Sequence, residues 1–388
     1  MSSKNSCPVC GTHDLSKFLT RKNVPVQQNF LIDDKESAIG VIRGNLNLAV
    51  CRQCGFIFNH TFDLSKLSYA NNYDNTQNHS PSFDNYISNH VSYLVSEKNI
   101  RNCSIIEVGC GKGTFLKKLI EVKEWRNTGY GFDPSYVGLD TEFEGRLKFE
   151  KRNYDLGCTN IRADIVICRH VIEHVPDPIK LLCTIKQALV KSPKAHVFFE
   201  TPDVEWILRN HVIWDFFYEH CSYFSEQSLT TAFEVSGFTV ESVRHVFGGQ
   251  YLWLEAVVAS TKPPIKKRAG CIPTLAKQFA ESEQELKKNW EIKIRELASK
   301  GKAAVWGGGA KGVTFVNLVD PECKWIDSVI DLNPQKQGRY IPGTGHPIIN
   351  YKEIVNREIK SAILMNPNYY EENMALLNKA NLKVDLIK

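Results

Sequence analysis

Two cysteine pairs, Cys7-Pro-Val-Cys10-Gly and Cys51-Arg-Gln-Cys54-Gly, constrain the fold of this chain more tightly than any other feature. A Cys-x-x-Cys hook followed by glycine turns two sulfurs toward one ion, and two hooks supply the four sulfurs of a tetrahedral zinc site at ~2.3 Å per bond. The stretch between the hooks is longer than in a compact zinc finger, so the metal is expected to close a lobe with short strand-like text such as Ala38-Ile-Gly-Val-Ile-Arg inside it. Because Cys7, Cys10, Cys51 and Cys54 fill all four positions, the zinc is expected to be structural. Redox-active or simply buried cysteines are the competing reading of either hook alone.

The 388 residues exceed what one hydrophobic core usually supports, which sets an expectation of two or three domains. No apolar run approaches the ~20 residues of a membrane span, and the opening Met-Ser-Ser-Lys-Asn-Ser lacks the apolar stretch of a secretory signal. The 12 cysteines therefore belong to a reducing compartment, and the expected location is the cytoplasm, away from membranes. The net charge of +5 is small, and no RNP, KH or Cys2His2 pattern accompanies it, which argues against a nucleic-acid partner.

Three segments follow from the pattern of apolar runs: a zinc-binding lobe over 1–75, a central domain over 76–262, and a linker helix with a last α/β domain over 263–388. In the central segment Ser104-Ile-Ile-Glu-Val, Gly129-Tyr-Gly-Phe-Asp, Ala163-Asp-Ile-Val-Ile-Cys and His196-Val-Phe-Phe-Glu alternate with helical text, as βαβ units on a parallel sheet do. Thr261-Lys-Pro-Pro-Ile-Lys-Lys-Arg breaks that rhythm. Leu286, Trp290, Ile294 and Leu297 then share one face of a helix expected over roughly 275–300. Ala303-Ala-Val-Trp, Trp325-Ile-Asp-Ser-Val-Ile and Ser361-Ala-Ile-Leu-Met restart the α/β alternation.

Glu107-Val-Gly109-Cys-Gly111-Lys-Gly113 closes the first central strand and opens a helix, a turn that lets backbone amides approach a ligand. Asp133, at the end of the next apolar run, is spaced to accept ribose hydroxyls, so a nucleoside ligand is implied. A dinucleotide turn asks for a small residue at its sixth place, which is Thr114 here. His170-Val-Ile-Glu173-His174 spells an inverted zinc-protease motif, but it follows a strand and precedes Pro176-Asp-Pro178, which opposes a helix carrying both histidines. In Tyr218-Glu219-His220 an imidazole among aromatics is a candidate general base, against the plainer reading of a core histidine. Gly307-Gly-Gly309-Ala-Lys311-Gly312 has the composition of an anion-binding turn, and the Pro/Gly-rich string Asp331 to Pro347, with Lys336 and Tyr340, either contacts a ligand or braces a neighbouring domain.

Taken in order, these strings resemble the S-adenosylmethionine-dependent sugar C-methyltransferase family. The carriers are the paired Cys-x-x-Cys, Glu-x-Gly-x-Gly-x-Gly at 107–113, Glu-His-x-x-Tyr-Phe-Ser at 219–225, Gly-Ala-Lys-Gly at 309–312 and Asp-x-Asn-Pro-x-Lys-x-Gly at 331–338. The resemblance implies an α/β chain: a class I methyltransferase doubly wound sheet, flanked by a small N-terminal zinc lobe and a C-terminal Rossmann-like domain. It implies S-adenosylmethionine held by Glu107, Gly109, Cys110 and Gly111 at the turn, by Asp133 and Pro134, and by Arg169 and His170. His220 would remove a proton next to the ketone of a nucleotide-linked sugar, aided by Glu219 and Tyr218, with structural zinc as the metal. Substrate contacts would come from Tyr73, Gln77, Asn78, Lys311, Lys336 and Tyr340, and a monomer is one state it allows. The chain departs from the family at Phe217, where relatives carry tyrosine, and in the carboxamide-rich stretch Tyr73 to Ser82. O- or N-methylation on the same scaffold, a zinc-organised nucleotide-binding module without turnover, and a nicotinamide-dependent sugar enzyme are the alternatives.

Overall fold

The computed structural model describes residues 5–67, 74, 79–158, 160–192, 194–259 and 269–388. In the N-terminal lobe β1 (Leu15–Pro25), β2 (Arg43–Cys51) and β3 (Ile57–Asn59) form an antiparallel sheet, with Cys51–Cys54 turning the chain from β2 into β3. Where strand-like text was expected around Ala38, a short helix, Lys35–Ile39, forms instead. Asp34 accepts a hydrogen bond from Ser37 N and caps it, and a local cap outweighs the β-propensity of two isoleucines.

The central strands are β4 (Ser104–Val108), β5 (Thr128–Phe132), β6 (Thr141–Glu142), β7 (Leu147–Glu150), β8 (Ile165–Arg169) and β9 (His196–Pro202). After the short β10 (Ser222–Tyr223) come β11 (Phe238–Val246) and β12 (Tyr251–Val258). Eight of these make one sheet in the order β11-β12-β9-β8-β4-β5-β7-β6. The chain runs from β4 toward β5 on one side and returns to β8 on the other, so the strand direction of travel reverses between β4 and β8. Ligands of open α/β sheets bind at the carboxyl ends beside such a reversal. β10 leaves this sheet and pairs with β3, Ser222 opposite Phe58 and Tyr223 opposite Ile57. The N-terminal lobe is therefore completed by a strand from the segment that carries His220.

Helix Ile272–Lys300 follows, longer at its start than the sequence pattern indicates, and its Pro273 sits in the first turn where a missing N–H costs nothing. Trp290, Ile294 and Leu297 pack on the last domain as their spacing predicts, while Leu286 packs toward the lobe. The last domain is a parallel sheet of β13 (Lys302–Trp306), β14 (Ile326–Ile330), β15 (Ile348–Ile349), β16 (Ile359–Leu364) and β17 (Asp385–Ile387), ordered β15-β14-β13-β16-β17. Its own reversal lies between β13 and β16. No helix among the described residues is long and apolar enough to cross a membrane.

Candidate active site

The two cysteine hooks converge. Cys7 Sγ lies 3.7 Å from Cys54 Sγ and Cys10 Sγ 3.5 Å from Cys51 Sγ, and all four lie within 4.8 Å of one another. A tetrahedron with ~2.3 Å metal–sulfur bonds has edges of about 3.8 Å, so the four sulfurs fit zinc. Each hook closes with the same turn, Gly11 N donating to Cys7 O and Gly55 N to Cys51 O, both at 2.9 Å.

A large cavity opens at the carboxyl ends of β4, β5 and β8, lined by Glu107, Gly109, Cys110, Gly111, Asp133, Pro134, Arg169 and His170. The sequence assigned all eight of these positions to one ligand. Asp133 is held by the turn it faces: Oδ2 accepts from Gly111 N at 2.8 Å and Oδ1 from Ser135 N at 2.7 Å. Oδ1 also accepts from Ser135 Oγ at 2.5 Å, so the lone pair left for a hydroxyl is on Oδ2. A Cβ at Gly111 would meet no atom within 4 Å, so the amide face of the turn is open. Glu107 Oε2 is buried without a hydrogen-bond partner, and burial pushes this carboxyl up to about 8. An Asp133 oxygen with a lone pair to spare, uncrowded space at Gly111 and a buried carboxyl oxygen without a hydrogen-bond partner suit a ribose hydroxyl and the ammonium group of S-adenosylmethionine.

Behind this cavity lies a rigid charged cluster. Arg169 pairs with Glu200 at 2.9 Å, His170 Nε2 lies 2.6 Å from the same carboxylate, and Tyr86 donates to it at 2.7 Å. Burial works against a charged His170, but hydrogen bonds to Glu173 and Glu200 outweigh it and raise the ring to about 9. His170 has φ 54 and only the single turn Ile172–His174 follows it, so His170 and His174 share no helical face. The protease geometry is thereby ruled out.

A second cavity lies between the central and last domains, and His170 and His174 line both. It is lined by Glu173, His174, Phe217, Glu219 and His220 from the central domain, and by Gly307, Gly309, Lys311, Asp331 and Lys336 from the last domain. The His220 ring lies 4.1 Å from Phe217 and 4.7 Å from His174, centroid to centroid. Burial, then the neighbouring His174 and His170 rings, hold His220 well below the usual histidine range, so its imidazole stays neutral. The backbone oxygen of Glu219 can only accept, so His174 Nδ1, 3.1 Å away, carries the proton and its Nε2 keeps a lone pair. Glu173, His174 and His220 bring potential ligand atoms within 4.8 Å of one another, so these three could also hold a cation.

Two assignments need correction. Tyr218, 1% exposed, turns away from the cavity: its hydroxyl accepts from Asp63 N at 2.9 Å and its ring packs on Phe62. The chain turns at Tyr218 and Glu219, so Glu219 and Phe217 reach the cavity while Tyr218 reaches the lobe. Tyr340 lines neither cavity; its backbone N donates to Ile32 O at 3.0 Å, making it a brace between the last domain and the lobe. Lys311 lines the cavity but is paired with Asp215 at 2.8 Å and donates to Gln250 at 3.1 Å. Lys336 is 6% exposed, and its partners are the neutral oxygens of Asn29 and Gly308, both at 3.2 Å. Tyr73, Gln77 and Asn78 lie outside the described residues. Asn29, Asp215, Gln250 and Asn366 join the lining from four distant segments that carry no motif.

Residues 83–243 match the family model of a methyltransferase domain, and residues 271–383 match that of a C-methyltransferase C-terminal domain. The chain is similar to the C-methyltransferase NovU of Streptomyces niveus, 24% identical over 391 residues that cover 95% of this chain and 91% of that protein. A tRNA U34 carboxymethyltransferase of Campylobacter fetus is 33% identical over 110 residues, 26% of this chain and 38% of that protein. Among solved structures, the 1,6-didemethyltoxoflavin-N1-methyltransferase of Burkholderia thailandensis covers 46% of this chain and 80% of its own at 16% identity and a TM-score of 0.36. With the two family matches in this order, similarity to one C-methyltransferase along nearly the whole chain, and a nucleoside cavity at the β4–β8 reversal, the protein belongs to the S-adenosylmethionine-dependent methyltransferases that carry a C-methyltransferase C-terminal domain.

Proposed function

We propose that this enzyme methylates the carbon next to the ketone of a nucleoside-diphosphate-linked deoxy keto sugar, with His220 as general base. One observation carries the reading: the cavity that holds His220 runs on to the carboxyl ends of β13 and β14, where Lys336 is buried with no carboxylate among its partners in the described residues. A buried ammonium is costly unless an anion meets it, and a sugar-linked diphosphate would supply that anion while its sugar reached His220.

S-adenosylmethionine, when bound, supplies an electrophilic methyl carbon beside the cavity wall formed by His170 and His174. Its holders would be Glu107, Gly109, Gly111 and Asp133. A ketone acidifies the neighbouring C–H bond, and an imidazole nitrogen of neutral His220 accepts that proton as the bond pair moves into an enolate. The Lys311 ammonium, fixed by Asp215 and Gln250 and near enough to depress His220, is the cation placed to meet the enolate oxygen. The enolate carbon would then take the methyl group as the S–CH3 bond breaks and its electron pair stays on sulfur, releasing S-adenosylhomocysteine, so the new C–C bond forms where the C–H bond broke. Glu219 acts as a positioning residue: its carboxylate accepts from Gln28 N at 3.3 Å and its carbonyl fixes the His174 tautomer. Phe217, in place of the hydroxyl carried by similar chains, keeps the base in an apolar contact.

The test is deuterium exchange into a nucleotide-linked 4-keto-6-deoxy sugar in the presence of S-adenosylhomocysteine, followed by product analysis with S-adenosylmethionine. Exchange at the α-carbon that His220→Asn abolishes, with a new C–CH3 in the product, supports the reading. A methyl on oxygen or nitrogen, or exchange untouched by His220→Asn, overturns it.

A further inference from the structure

Apart from the four cysteines, the described residues bring together one other set of metal-ligand types. Glu173, His174 and His220 each place a donor atom within 4.8 Å of the other two. Glu173 and His174 lie on the single turn Ile172–His174 after β8, and His220 lies just before β10, so two segments meet to form the set. The rings of His174 and His220 cross at 87° with centroids 4.7 Å apart, and all three residues line the second cavity, which leaves one side of the set open. A zinc ion with bonds of ~2.0–2.1 Å holds its ligands about 3.4 Å apart, so side-chain rotation has to draw the widest pair in by about 1.4 Å at most. Two imidazoles and one carboxylate suit zinc and its first-row divalent neighbours, whereas magnesium and calcium ask for oxygen throughout.

The groups behind the set hold it in a ligating form. His174 Nδ1 is tied to Glu219 O at 3.1 Å, which leaves Nε2 as the nitrogen able to bind a metal, the usual support of a ligating histidine. Thr201 Oγ1 donates to Glu173 Oε2 at 3.2 Å. Glu173 is 1% exposed, and its buried Oε1 has no aligned hydrogen bond among the described residues, with His170 Nδ1 standing off at 3.3 Å. A buried carboxylate oxygen without an aligned donor is costly, and a metal ion would satisfy it. The cations nearby are already met by carboxylates: Arg169 by Glu200 at 2.9 Å, His170 by the same carboxylate at 2.6 Å, and Lys311 by Asp215 at 2.8 Å. None of these charges opposes an incoming ion in full.

We propose that Glu173, His174 and His220 bind a divalent transition-metal ion, zinc in particular, at a second site separate from the four cysteines, and that this ion shuts the enzyme down. Its bond to His220 would occupy the lone pair that takes the α-proton, so metal binding and proton transfer exclude each other. Occupancy of the site is independent of the substrate; the inhibition rests on His220 as the proposed base.

The experiment is titration of the full chain, its cysteine cluster loaded with one zinc, with Co2+. Cobalt on thiolates shows strong sulfur-to-metal charge transfer, and cobalt on nitrogen and oxygen shows only weaker d–d bands. We expect one further equivalent with d–d bands alone and zinc still at one per chain, together with hyperfine-shifted ring-proton resonances from two histidines, a readout that needs no variant. Glu173→Gln and His174→Asn should each weaken this equivalent at least about tenfold, with near-ultraviolet circular dichroism reporting an intact fold. In the α-deuterium exchange assay, exchange should fall in step with filling of the site by Zn2+ and return when a chelator too weak to strip the four cysteines removes it. A chain that takes up no further cobalt, or whose further equivalent ignores both variants, overturns the site. Exchange that rises with zinc, or stays level while the site fills, overturns the inhibition. Exchange absent with the site empty overturns His220 as the base and the inhibition with it, while the cobalt spectra still decide occupancy.

Discussion

His220 has to be neutral to act, and its surroundings keep it so. Burial and the neighbouring His174 and His170 lower its pKa, so protonation removes the base only well below the usual histidine range. The acid limb of a kcat profile should therefore show no inflection near ~6.5. His220→Gln should cut turnover about 10²- to 10⁴-fold with S-adenosylhomocysteine affinity unchanged, and a variant that keeps wild-type turnover would remove His220 from the chemistry. Glu107 behaves oppositely. Burial raises it to about 8, so at pH 7 without ligand the carboxyl is largely protonated, and a cationic ligand draws the proton off. Affinity for S-adenosylmethionine should rise as pH climbs toward 8 and then level, and Glu107→Gln should flatten the curve; titration calorimetry across pH decides this. Glu107 and Asp133 line one cavity, where a local pattern of strand end, glycine and spacing had set them, whereas His220 was singled out by its aromatic neighbours and by resemblance. Tyr218 and Tyr340 were misassigned, since spacing along the chain does not say which way a side chain leaves a turn or a loop.

The β10 strand ties the four-cysteine cluster to the segment that carries His220, the proposed base. Cys51 and Cys54 turn β2 into β3, β3 pairs with β10, and β10 begins two residues after His220. Loss of a zinc held there should free β3 and with it the support beneath the proposed base. Cys54→Ser, or chelation, should remove one zinc per chain by elemental mass spectrometry. Turnover should fall at least about tenfold, while the central sheet still binds S-adenosylhomocysteine. Retained turnover without zinc would break this link, and a second metal equivalent would place a cation on Glu173, His174 and His220. Most strands and the long helix were legible, because buried parallel strands read as short apolar runs and the helix repeats its apolar face. The pairing of β3 with β10 was not, because a two-residue strand has no periodicity and its partner lies in another segment.

At the scale of the whole molecule the three segments close around the second cavity through polar groups that no local pattern announces. Trp214, Trp290 and Phe315, one each from the central domain, the long helix and the last domain, meet with ring centroids 5.2 to 5.5 Å apart. Arg43 of the lobe donates to Gly343 O at 2.7 Å, and Arg339 pairs with Asp33 at 3.1 Å. The most buried of these ties is Arg21 on β1. Its guanidinium reaches Glu283 of the long helix at 2.6 Å, Phe216 O at 2.8 Å and Ile213 O at 2.6 Å, so one side chain binds lobe, helix and the segment leading to His220. With both side chains nearly excluded from water, removing one partner leaves the other charge uncompensated. Arg21→Met should therefore destabilise the fold by about 3–5 kcal/mol in denaturant unfolding, and Glu283→Leu by a comparable amount. The double variant should recover part of the loss, because neither charge is then stranded, although the carbonyls of Ile213 and Phe216 still lack a donor. Losses that simply add in the double variant would show that the ion pair does not couple the lobe to the helix, and would leave the aromatic cluster to hold the domains together.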